Sequence, residues 1–294
     1  MDVKPLRYFS EVARHNSFTR AAEALHVAQP AVSMAIRKLE AELELTLFHR
    51  QDRRVSLTDE GSRLLGHAHR ILQAVSDAQL EMEELRGLSR GEVRVGIPSM
   101  LGSYYFPPIL MAFRHRHPNL KLSVVEAGTG SLQQMLEAGS LDLAVIVAEQ
   151  VPDELEACSF LREQMMVTVA REHPFARQAD ITLADFFAQE LVMFPQGYFH
   201  RRVVDRLASA SGWTPEIGFE TSLLPLIKSI VTQGFGISTL LEMVLRDDPD
   251  LVAVPFSEPV WLDLSIAWRR DGYLSRANRA FVDFVLEQAG TEKS

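Results

Sequence analysis

The chain has 294 residues, of which 47% are hydrophobic and 23% charged, and this composition excludes an intrinsically disordered protein. The length allows two or three domains. No stretch approaches the roughly 18 apolar residues of a membrane span, and the charged start MDVKPLRYFSEVARHNSF lacks the apolar core of a secretory signal. The single cysteine, Cys158, cannot form an internal disulfide. We therefore expect a cytoplasmic protein without a membrane partner.

The net charge of −9 is unevenly distributed along the chain. Residues 91–294 carry 17 Lys and Arg against 26 Asp and Glu, so the whole excess of acid lies there. Residues 1–58 carry nine basic and seven acidic side chains. Such asymmetry indicates separate domains with different partners. It leaves the N-terminal part able to bind a polyanion, although the whole chain is acidic.

Apolar residues recur at helical spacing in three N-terminal segments, residues 6–13, 18–25 and 32–43. The first predicts a helix over about 3–14. Pro30 fits the third helix, because a proline in the first helical turn has no N–H that would need a partner. The connector 26–28 is short, so the second and third helices form a helix-turn-helix.

The outer face of the third predicted helix carries the chemistry that reads base pairs. With Val32, Ile36 and Leu39 turned inward, the outward side chains in its first two turns are those of Gln29, Pro30, Ser33 and Arg37. In this motif the N-terminal part of the helix enters the major groove. Glutamine can bond adenine, arginine can bond guanine or a phosphate, and proline or serine can lie against a thymine methyl. The sequence predicts sequence-specific binding to double-stranded DNA.

The stretch LFHRQDRRVSLT follows the third helix and predicts a two-stranded wing. Phe48, Val55 and Leu57 are its apolar positions, and its tip carries three basic residues, Arg50, Arg53 and Arg54. Such a tip holds the phosphate backbone and does not read sequence.

Residues 6–50, LRYFSEVARHNSFTRAAEALHVAQPAVSMAIRKLEAELELTLFHR, followed by VSLTDEG, resemble the N-terminal domain of LysR-type transcriptional regulators. The match includes the AA pair, the QPAVS start of the third helix and the LF-R at its exit. The resemblance implies a bacterial DNA-binding transcription regulator with a winged helix-turn-helix. RNA polymerase is then a further candidate partner.

Residues 59–90 predict a long helix that begins with Asp59 and Glu60, which suit the positive end of the helix dipole. Its apolar positions follow a 3.5-residue period, typical of a coiled-coil seam; they are Leu64, Ala68, Ile71, Val75, Ala78, Met82 and Leu85. The alternative is an amphipathic helix packed on its own domain. Pairing two subunits here predicts a homodimer that binds an inverted-repeat operator. The resemblance also implies a linker role for this helix and tetramers built from dimers.

The segment GLSRG at 87–91 breaks the helical period and is a candidate hinge. Beyond it, strands and helices alternate, which predicts parallel sheets with helical crossovers. Strands are predicted in EVRVGIP, LKLSVVEA, DLAVIV, MMVTVA, LVMF, EIGFET, GISTL, LVAVPF and VWLDLSIAW, with helices over 101–117, in SLQQMLEA, and around 200–211, 223–235 and 275–289. Two small α/β lobes explain this pattern.

The resemblance continues to the end of the chain and implies a bilobal domain like the periplasmic solute-binding proteins. The predicted fold class is therefore α plus α/β: a winged helix-turn-helix, a long linker helix and a bilobal α/β domain. The predicted domains are a DNA-binding domain, 1–58, a linker and dimerisation helix, 59–90, and an effector-binding domain, 91–294. Crossings near Leu161 and Leu264 divide the last into lobe I, 91–161 and 265–294, and lobe II, 162–264.

A cleft between two such lobes is the expected place for a small effector, at strand ends and helix starts. Ser99 and Met100 follow the first strand of this domain and Thr129 follows the second, where free N–H groups suit an organic anion. The resemblance implies effector contacts at these residues and at Pro195 and Gln196, with Thr221 as a weaker choice. The alternative is that the serines and threonines only cap helices.

The sequence offers no recognisable catalytic machinery. GTG at 128–130 lacks the third glycine of a dinucleotide fingerprint, the pairs His67/His69 and His115/His117 lack a nearby third metal ligand, and no GxSxG, HExxH or Walker motif occurs. We expect no enzyme activity, no metal and no cofactor. The predicted function is a transcriptional regulator whose operator binding responds to a small effector in the C-terminal cleft. The alternative is a bilobal enzyme or a solute-binding protein with an accessory helical domain.

Overall fold

The structure, a computed structural model, describes residues 2–51, 54–86, 91–147 and 151–291, without the side chains of Arg50, Gln51, Arg54 and Thr291. The chain divides into two units, residues 1–88 with 138–140, and residues 89–137 with 141–294. Residues 87–90 of the predicted hinge lie outside the described residues. In the ranges given above, no helix has the length and apolarity that crossing a membrane requires.

The first unit has the predicted helices and wing: α1 Val3–His15, α2 Phe18–Ala24, α3 Gln29–Leu43, β1 Phe48–Gln51, β2 Arg54–Leu57 and α4 Asp59–Leu85. Apolar residues of all three short helices share one core, among them Phe9, Ala21 and Ile36, each 0% exposed. Phe48 of the wing packs on the Phe9 ring with centroids 5.3 Å apart. The wing is thus anchored to the core by its first residue.

The junction between the wing and α4 is held by Thr58. Its hydroxyl accepts a hydrogen bond from the Gly61 N–H at 2.9 Å and donates one to the Thr46 carbonyl at 2.7 Å. The Thr58 N–H donates to the Leu47 carbonyl at 3.0 Å. A Cβ at Gly61 would lie 2.2 Å from that same carbonyl oxygen, so only glycine lets α4 start this close to the strand. The segment TDEG therefore fixes the angle between α4 and the wing.

The first half of α4 belongs to the core of its own unit. Ala68 is 0% exposed, Leu64 and Ile71 pack against the same core, and the His69 ring nitrogen lies 3.0 Å from the Ser10 hydroxyl. Ala68 therefore packs in its own unit, as the alternative of local packing predicts, and the partly buried Leu64 and Ile71 contact the same core, while a seam between subunits stays a prediction. The later positions differ, since Met82 and Leu85 are 52% and 71% exposed.

The second unit contains, in chain order, β3 Glu92–Ile97, α5 Ser99–Tyr104, α6 Phe106–Arg116, β4 Lys121–Glu126, α7 Thr129–Glu137, β5 Leu143–Val147, β6 Leu155–Ala170, a 3₁₀ turn Pro174–Arg177, α8 Leu183–Phe187, β7 Glu190–Met193, α9 Phe199–Ser211, β8 Glu216–Glu220, α10 Leu224–Thr232, β9 Ser238–Leu241, α11 Glu242–Leu245, β10 Leu251–Val254, β11 Val260–Arg269 and α12 Arg276–Thr291.

Two long antiparallel strands, β6 and β11, run through both lobes of this unit. In one lobe β3 lies between β4 and β5 in parallel, and β5 pairs with the second half of β11. In the other lobe β9 and β10 pair with the second half of β6, and β7 pairs with β8. The register of β6 and β11 shifts between Leu264 and Ser265, where Leu264 faces Leu161. That irregularity lies where the sequence predicts that the chain crosses between the two lobes.

The sequence did not predict the short helices α8 and α11, and two further elements differ from the prediction. The helix expected over 101–117 is split into α5 and α6, because prolines at 107 and 108 start a new helix after Tyr105 and provide no N–H to continue the old one. The strand expected at MMVTVA begins much earlier, at Leu155. In the first half of this strand, exposed residues interrupt the buried ones. The continuous apolar run that predicted a strand therefore covers only the buried second half.

We expect Thr58→Val to loosen the junction between the wing and α4. The variant loses a helix cap, worth about 1 kcal/mol, and leaves the Thr46 carbonyl without its hydroxyl donor, which costs roughly 1 kcal/mol more. Hydrogen exchange of peptides from residues 46–61 should show an opening free energy about 2 kcal/mol lower. Thr182→Val is the matched control, because Thr182 caps α8 in the second unit and should change exchange only there. Unchanged exchange at 46–61 would contradict this account of the junction.

Candidate functional site

The N-terminal half of α3 presents a polar stripe to solvent. Gln29, Pro30 and Arg37 are exposed and Ser33 is half-buried, while Val32, Ile36 and Leu39 on the opposite face are at most 1% exposed. Positions 29, 33 and 37 lie four residues apart and so share one helix face. The structure thus brings together the four residues that the sequence predicted to read DNA. Met34, beside this stripe, is 65% exposed, and the sequence analysis did not select it.

The wing is a two-stranded hairpin, in which Arg50 pairs with Val55 and Gln51 with Arg54. The side chains of Arg50 and Arg54 are not described, and Arg53 lies outside the described residues. The three arginines therefore remain predicted backbone contacts at the tip of an observed hairpin.

In the second unit, a small cavity, the inner chamber, lies between the two lobes. Its volume is about 30 Å³, enough for a water molecule. Ser99, Met100 and Thr129 line it, as the sequence predicted. The other lining residues come from both lobes and include Val147, Phe194, Tyr198, Phe199, His200, Leu241, Leu262 and Leu264.

Backbone contacts hold the lobes together beside this chamber. The Gly130 N–H donates to the Gly197 carbonyl at 3.2 Å. A Cβ at Gly128 would lie 2.9 Å from that carbonyl oxygen, so the close approach needs glycine.

A second link between the lobes is made by the side chain of Lys228, whose ammonium donates to the Tyr104 hydroxyl at 2.9 Å and to the Asp248 carboxylate at 2.8 Å. Tyr104 is 41% exposed and takes part in this link.

Two polar groups of the inner chamber are buried without a hydrogen bond, the Thr129 hydroxyl and the His200 ring nitrogen Nε2. Thr129 is 4% exposed and His200 8%. Burial disfavours the charged imidazolium and lowers the pKa of His200 to about 4, so the ring is neutral at neutral pH. An unpaired buried donor or acceptor costs free energy, and a ligand with a hydrogen-bonding group would recover it.

A larger cavity, the outer chamber, adjoins the inner one and shares Thr129, Val147 and Phe199 with it. Its volume is about 870 Å³. Its polar lining includes Gln133, Arg202 and Arg206, which the sequence did not indicate as site residues. The four-residue spacing of Arg202 and Arg206 was the signal in the sequence that could have placed both side chains on one helix face.

The remaining predicted effector residues line neither chamber. Gln196 is exposed, and Pro195 accepts a bond from the Tyr198 N–H at 3.2 Å. The Thr221 hydroxyl accepts from the Leu223 N–H at 3.2 Å, so it supports a local turn before α10 and does not cap that helix. Within the part of the chain that the structure describes, no cluster of three His, Cys, Asp or Glu side chains could hold a metal.

Comparison with known proteins decides the family. Residues 3–62 match the bacterial regulatory helix-turn-helix proteins of the lysR family, and residues 86–290 match the LysR substrate binding domain. The chain belongs to the LysR family of transcriptional regulators. As a LysR regulator it is a DNA-binding transcription factor with an effector-binding domain, and the family consists of regulators and not enzymes.

Several known proteins align with this LysR regulator over nearly its whole length. The HTH-type transcriptional regulator YwbI of Bacillus subtilis is 36% identical, over 96% of this chain and 95% of its own. The RuBisCO operon transcriptional regulator of Allochromatium vinosum is 35% identical, over 98% and 97%. A full-length OxyR variant from Pseudomonas aeruginosa superposes with a TM-score of 0.74 at 26% identity, over 97% and 94%.

Two other solved structures share the fold. CbnR in complex with its target DNA gives a TM-score of 0.66 at 23% identity, covering 98% of this chain and 100% of its own. The effector binding domain of QuiR in complex with shikimate gives 0.62 at 22% identity, over 69% and 99%.

We expect the buried His200 to destabilise the second unit in mild acid. Its pKa of about 4 when folded lies below the ordinary value of 6.5, so below pH 6.5 the unfolded chain binds a proton that the folded chain does not. Stability is full above that pH and falls as the pH drops towards 4, by about 2 kcal/mol between pH 7 and pH 5.

Calorimetric melting at pH 7, 6 and 5 should therefore show a smaller loss of stability in His200→Leu than in the wild type. His115→Leu, on the exposed surface of α6, is the control and should keep the wild-type slope. An identical pH slope in His200→Leu and the wild type would show that His200 is not buried in neutral form.

Proposed function

We propose that this LysR regulator recognises an inverted repeat in double-stranded DNA through the α3 stripes of two subunits, and that a small effector in the cleft of the second unit modulates the recognition. The observation that carries the proposal is the outward stripe of the exposed Gln29 and Arg37 and the half-buried Ser33 on a helix whose other face is buried. In the proposed division of labour, residues 1–58 bind DNA, 59–90 link and pair subunits, and 91–294 bind the effector.

The proposed DNA contacts follow from side-chain chemistry. Gln29 is suited to the paired donor and acceptor of adenine, Arg37 to guanine or a phosphate, and Pro30 and Ser33 to a thymine methyl. The wing arginines, Arg50, Arg53 and Arg54, are proposed to hold the phosphate backbone. The fold shared with CbnR, which has been solved with its target DNA, supports this use of the N-terminal unit.

The proposed assembly is a homodimer, with tetramers formed from dimers. The proposed pairing of subunits is supported by the second half of α4. Four residues there continue the 3.5-residue period, Val75, Ala78, Met82 and Leu85, and the last two are largely exposed. A two-fold dimer places two α3 helices for two half-sites. The proposed setting is the cytoplasm, where RNA polymerase is a candidate partner.

The proposed effector site is the cleft that contains the inner chamber. Ser99, Met100 and Thr129 lie there together, and the unpaired hydroxyl of Thr129 supports a ligand with a polar group. The QuiR domain, solved with shikimate, shares this fold and supports an organic anion as the class of effector. Pro195, Gln196 and Thr221 remain proposed contacts that would need the lobes to move. Regulation requires that the effector bind two arrangements of the lobes with different affinities.

The proposed reading stripe predicts the effect of truncating it. Gln29→Ala or Ser33→Ala should weaken binding to the operator by about tenfold, since each good base contact discriminates by about 1–3 kcal/mol, while binding to unrelated DNA changes little. Gel-shift titrations on the DNA upstream of the protein's own gene measure both affinities. Gln178→Ala, an exposed glutamine of the second unit, is the control. Unchanged operator affinity in both stripe variants would overturn the proposal.

The proposed seam predicts a change of assembly. Met82→Glu combined with Leu85→Glu places four like charges in a dimer seam, so the particle mass by light scattering should fall to half of the wild-type value or less. Ser76→Glu, on the same helix outside the seam, should keep the wild-type mass. A double variant with the wild-type mass would contradict pairing through this part of α4.

A further inference from the structure

The outward face of α3 contains an apolar side chain that the proposed reading stripe does not use. Met34 is 65% exposed, and among the described residues of α3 it is the one large apolar side chain open to solvent. It does not pack against the core that buries the other face of the helix. Single exposed apolar residues are common on protein surfaces, so the meaning of Met34 depends on where it lies.

The position of Met34 is opposite the buried face of the helix. It lies two residues from both Val32 and Ile36, which at about 100° per residue places it roughly 160° from each of them around the helix axis. Both of those residues are 0% exposed. By the same geometry Ser33 lies only about 60° from Ile36, and Ser33 is half-buried. Met34 therefore projects further from the core than Ser33 does.

The neighbours of Met34 on this face are residues already proposed to contact DNA. Pro30, one turn earlier, is exposed, and Arg37, about 60° away around the axis, is exposed as well. Met34 lies in the first half of α3, which is the part that enters the major groove in this motif. A helix that enters the groove with Gln29 and Arg37 towards the bases therefore brings Met34 into the groove with them.

The chemistry of its side chain restricts what Met34 can contact there. A thioether has no hydrogen-bond donor and its sulfur is a weak acceptor, so Met34 cannot read the polar edges of bases as glutamine and arginine can. The 5-methyl group of thymine is the apolar group that base edges expose in the major groove. The unbranched, flexible methionine side chain adapts to such a surface. Contact with that methyl group removes apolar surface of both partners from water.

We infer that Met34 is a specificity-determining residue of this regulator, which selects a thymine in each half-site by packing against the thymine 5-methyl group. The inference rests on the proposed function, because it requires α3 in the major groove. It adds an apolar contact to the polar contacts proposed for Gln29 and Arg37. The operator preference of this chain then depends on a side chain that forms no hydrogen bond with a base.

Replacing thymine by uracil tests this contact, because uracil pairs with adenine in the same way and lacks only the methyl group. Probes of the DNA upstream of the protein's own gene, each with one thymine replaced, are titrated in gel shifts with the wild-type full chain and with Met34→Ala. At one thymine of each half-site, uracil should weaken wild-type binding by about fourfold, the effect of one buried methyl group. Met34→Ala should bind the thymine and uracil probes equally at that position.

Two further variants serve as controls. Met34→Leu keeps an apolar side chain and should still distinguish thymine from uracil. Met111→Ala truncates a methionine of α6 that is 69% exposed, and it should lose as much affinity on uracil substitution as the wild type does. Because Met34 lies outside the core, Met34→Ala should melt at the wild-type temperature.

Equal binding of thymine and uracil probes by the wild type at every position would overturn the inference. A uracil effect that is as large in Met34→Ala as in the wild type would also overturn it. The same titrations separate this failure from that of the proposed function. Specific operator binding without a methyl effect that depends on Met34 leaves the α3 stripe intact and removes the role of Met34, whereas a wild type that binds the operator no better than unrelated DNA removes the proposed function.

Discussion

The burial of one row of α3 decides what the other row can do. Val32, Ile36 and Leu39 lie in a core shared with α1 and α2, and close packing there allows one rotation of the helix about its axis. That rotation places Gln29, Ser33 and Arg37 outward. A helix free to rotate would present its polar side chains to DNA in many orientations and lose base discrimination. In the proposed mode of recognition, specificity therefore depends on apolar residues that do not contact a base.

The positions of the wing and α4 depend on the same core. Phe48 fixes the first strand of the wing against Phe9, and Thr58 with Gly61 fixes the start of α4 against Leu47. The first half of α4 packs on the core of its own unit, and its second half, where Met82 and Leu85 are exposed, is the surface proposed to pair with another subunit. One helix would then contribute first to the fold and then to the proposed dimer.

The second unit forms a cleft in which some polar groups have no partner within the protein. The long strands β6 and β11 join the lobes, and Gly128 lets them approach closely, because a Cβ there would lie 2.9 Å from the Gly197 carbonyl oxygen. Thr129 and His200 are left buried without hydrogen bonds, a local cost that a bound ligand can relieve. In the proposed function, an effector that relieves this cost in one arrangement of the lobes would shift the equilibrium towards that arrangement.

Local periodicity made the N-terminal unit predictable, because the spacing of apolar residues in each helix indicates its buried face within a few residues. Most elements of the second unit were also predictable, except where prolines 107 and 108 split a helix, where β6 begins with half-exposed residues, and at α8 and α11, which are too short to show a helical period. Nothing local to Leu64, Ala68 or Ile71 indicates that they serve their own domain, since a seam and a core need the same spacing. The sequence did not indicate His200, Arg202 and Arg206 as lining residues of the two chambers. A chamber is lined by residues distant in sequence, and only the folded arrangement of the two lobes brings these residues to it.

Hydroxyl-radical footprinting of the full chain on the DNA upstream of its own gene shows whether the α3 helices of two subunits read an inverted repeat. We expect two protected half-sites related by two-fold symmetry, with centres separated by one helical turn of DNA or a multiple of it. A single asymmetric footprint, or protection that moves freely along any DNA at physiological salt, would contradict the proposal that two buried-faced α3 helices read an inverted repeat.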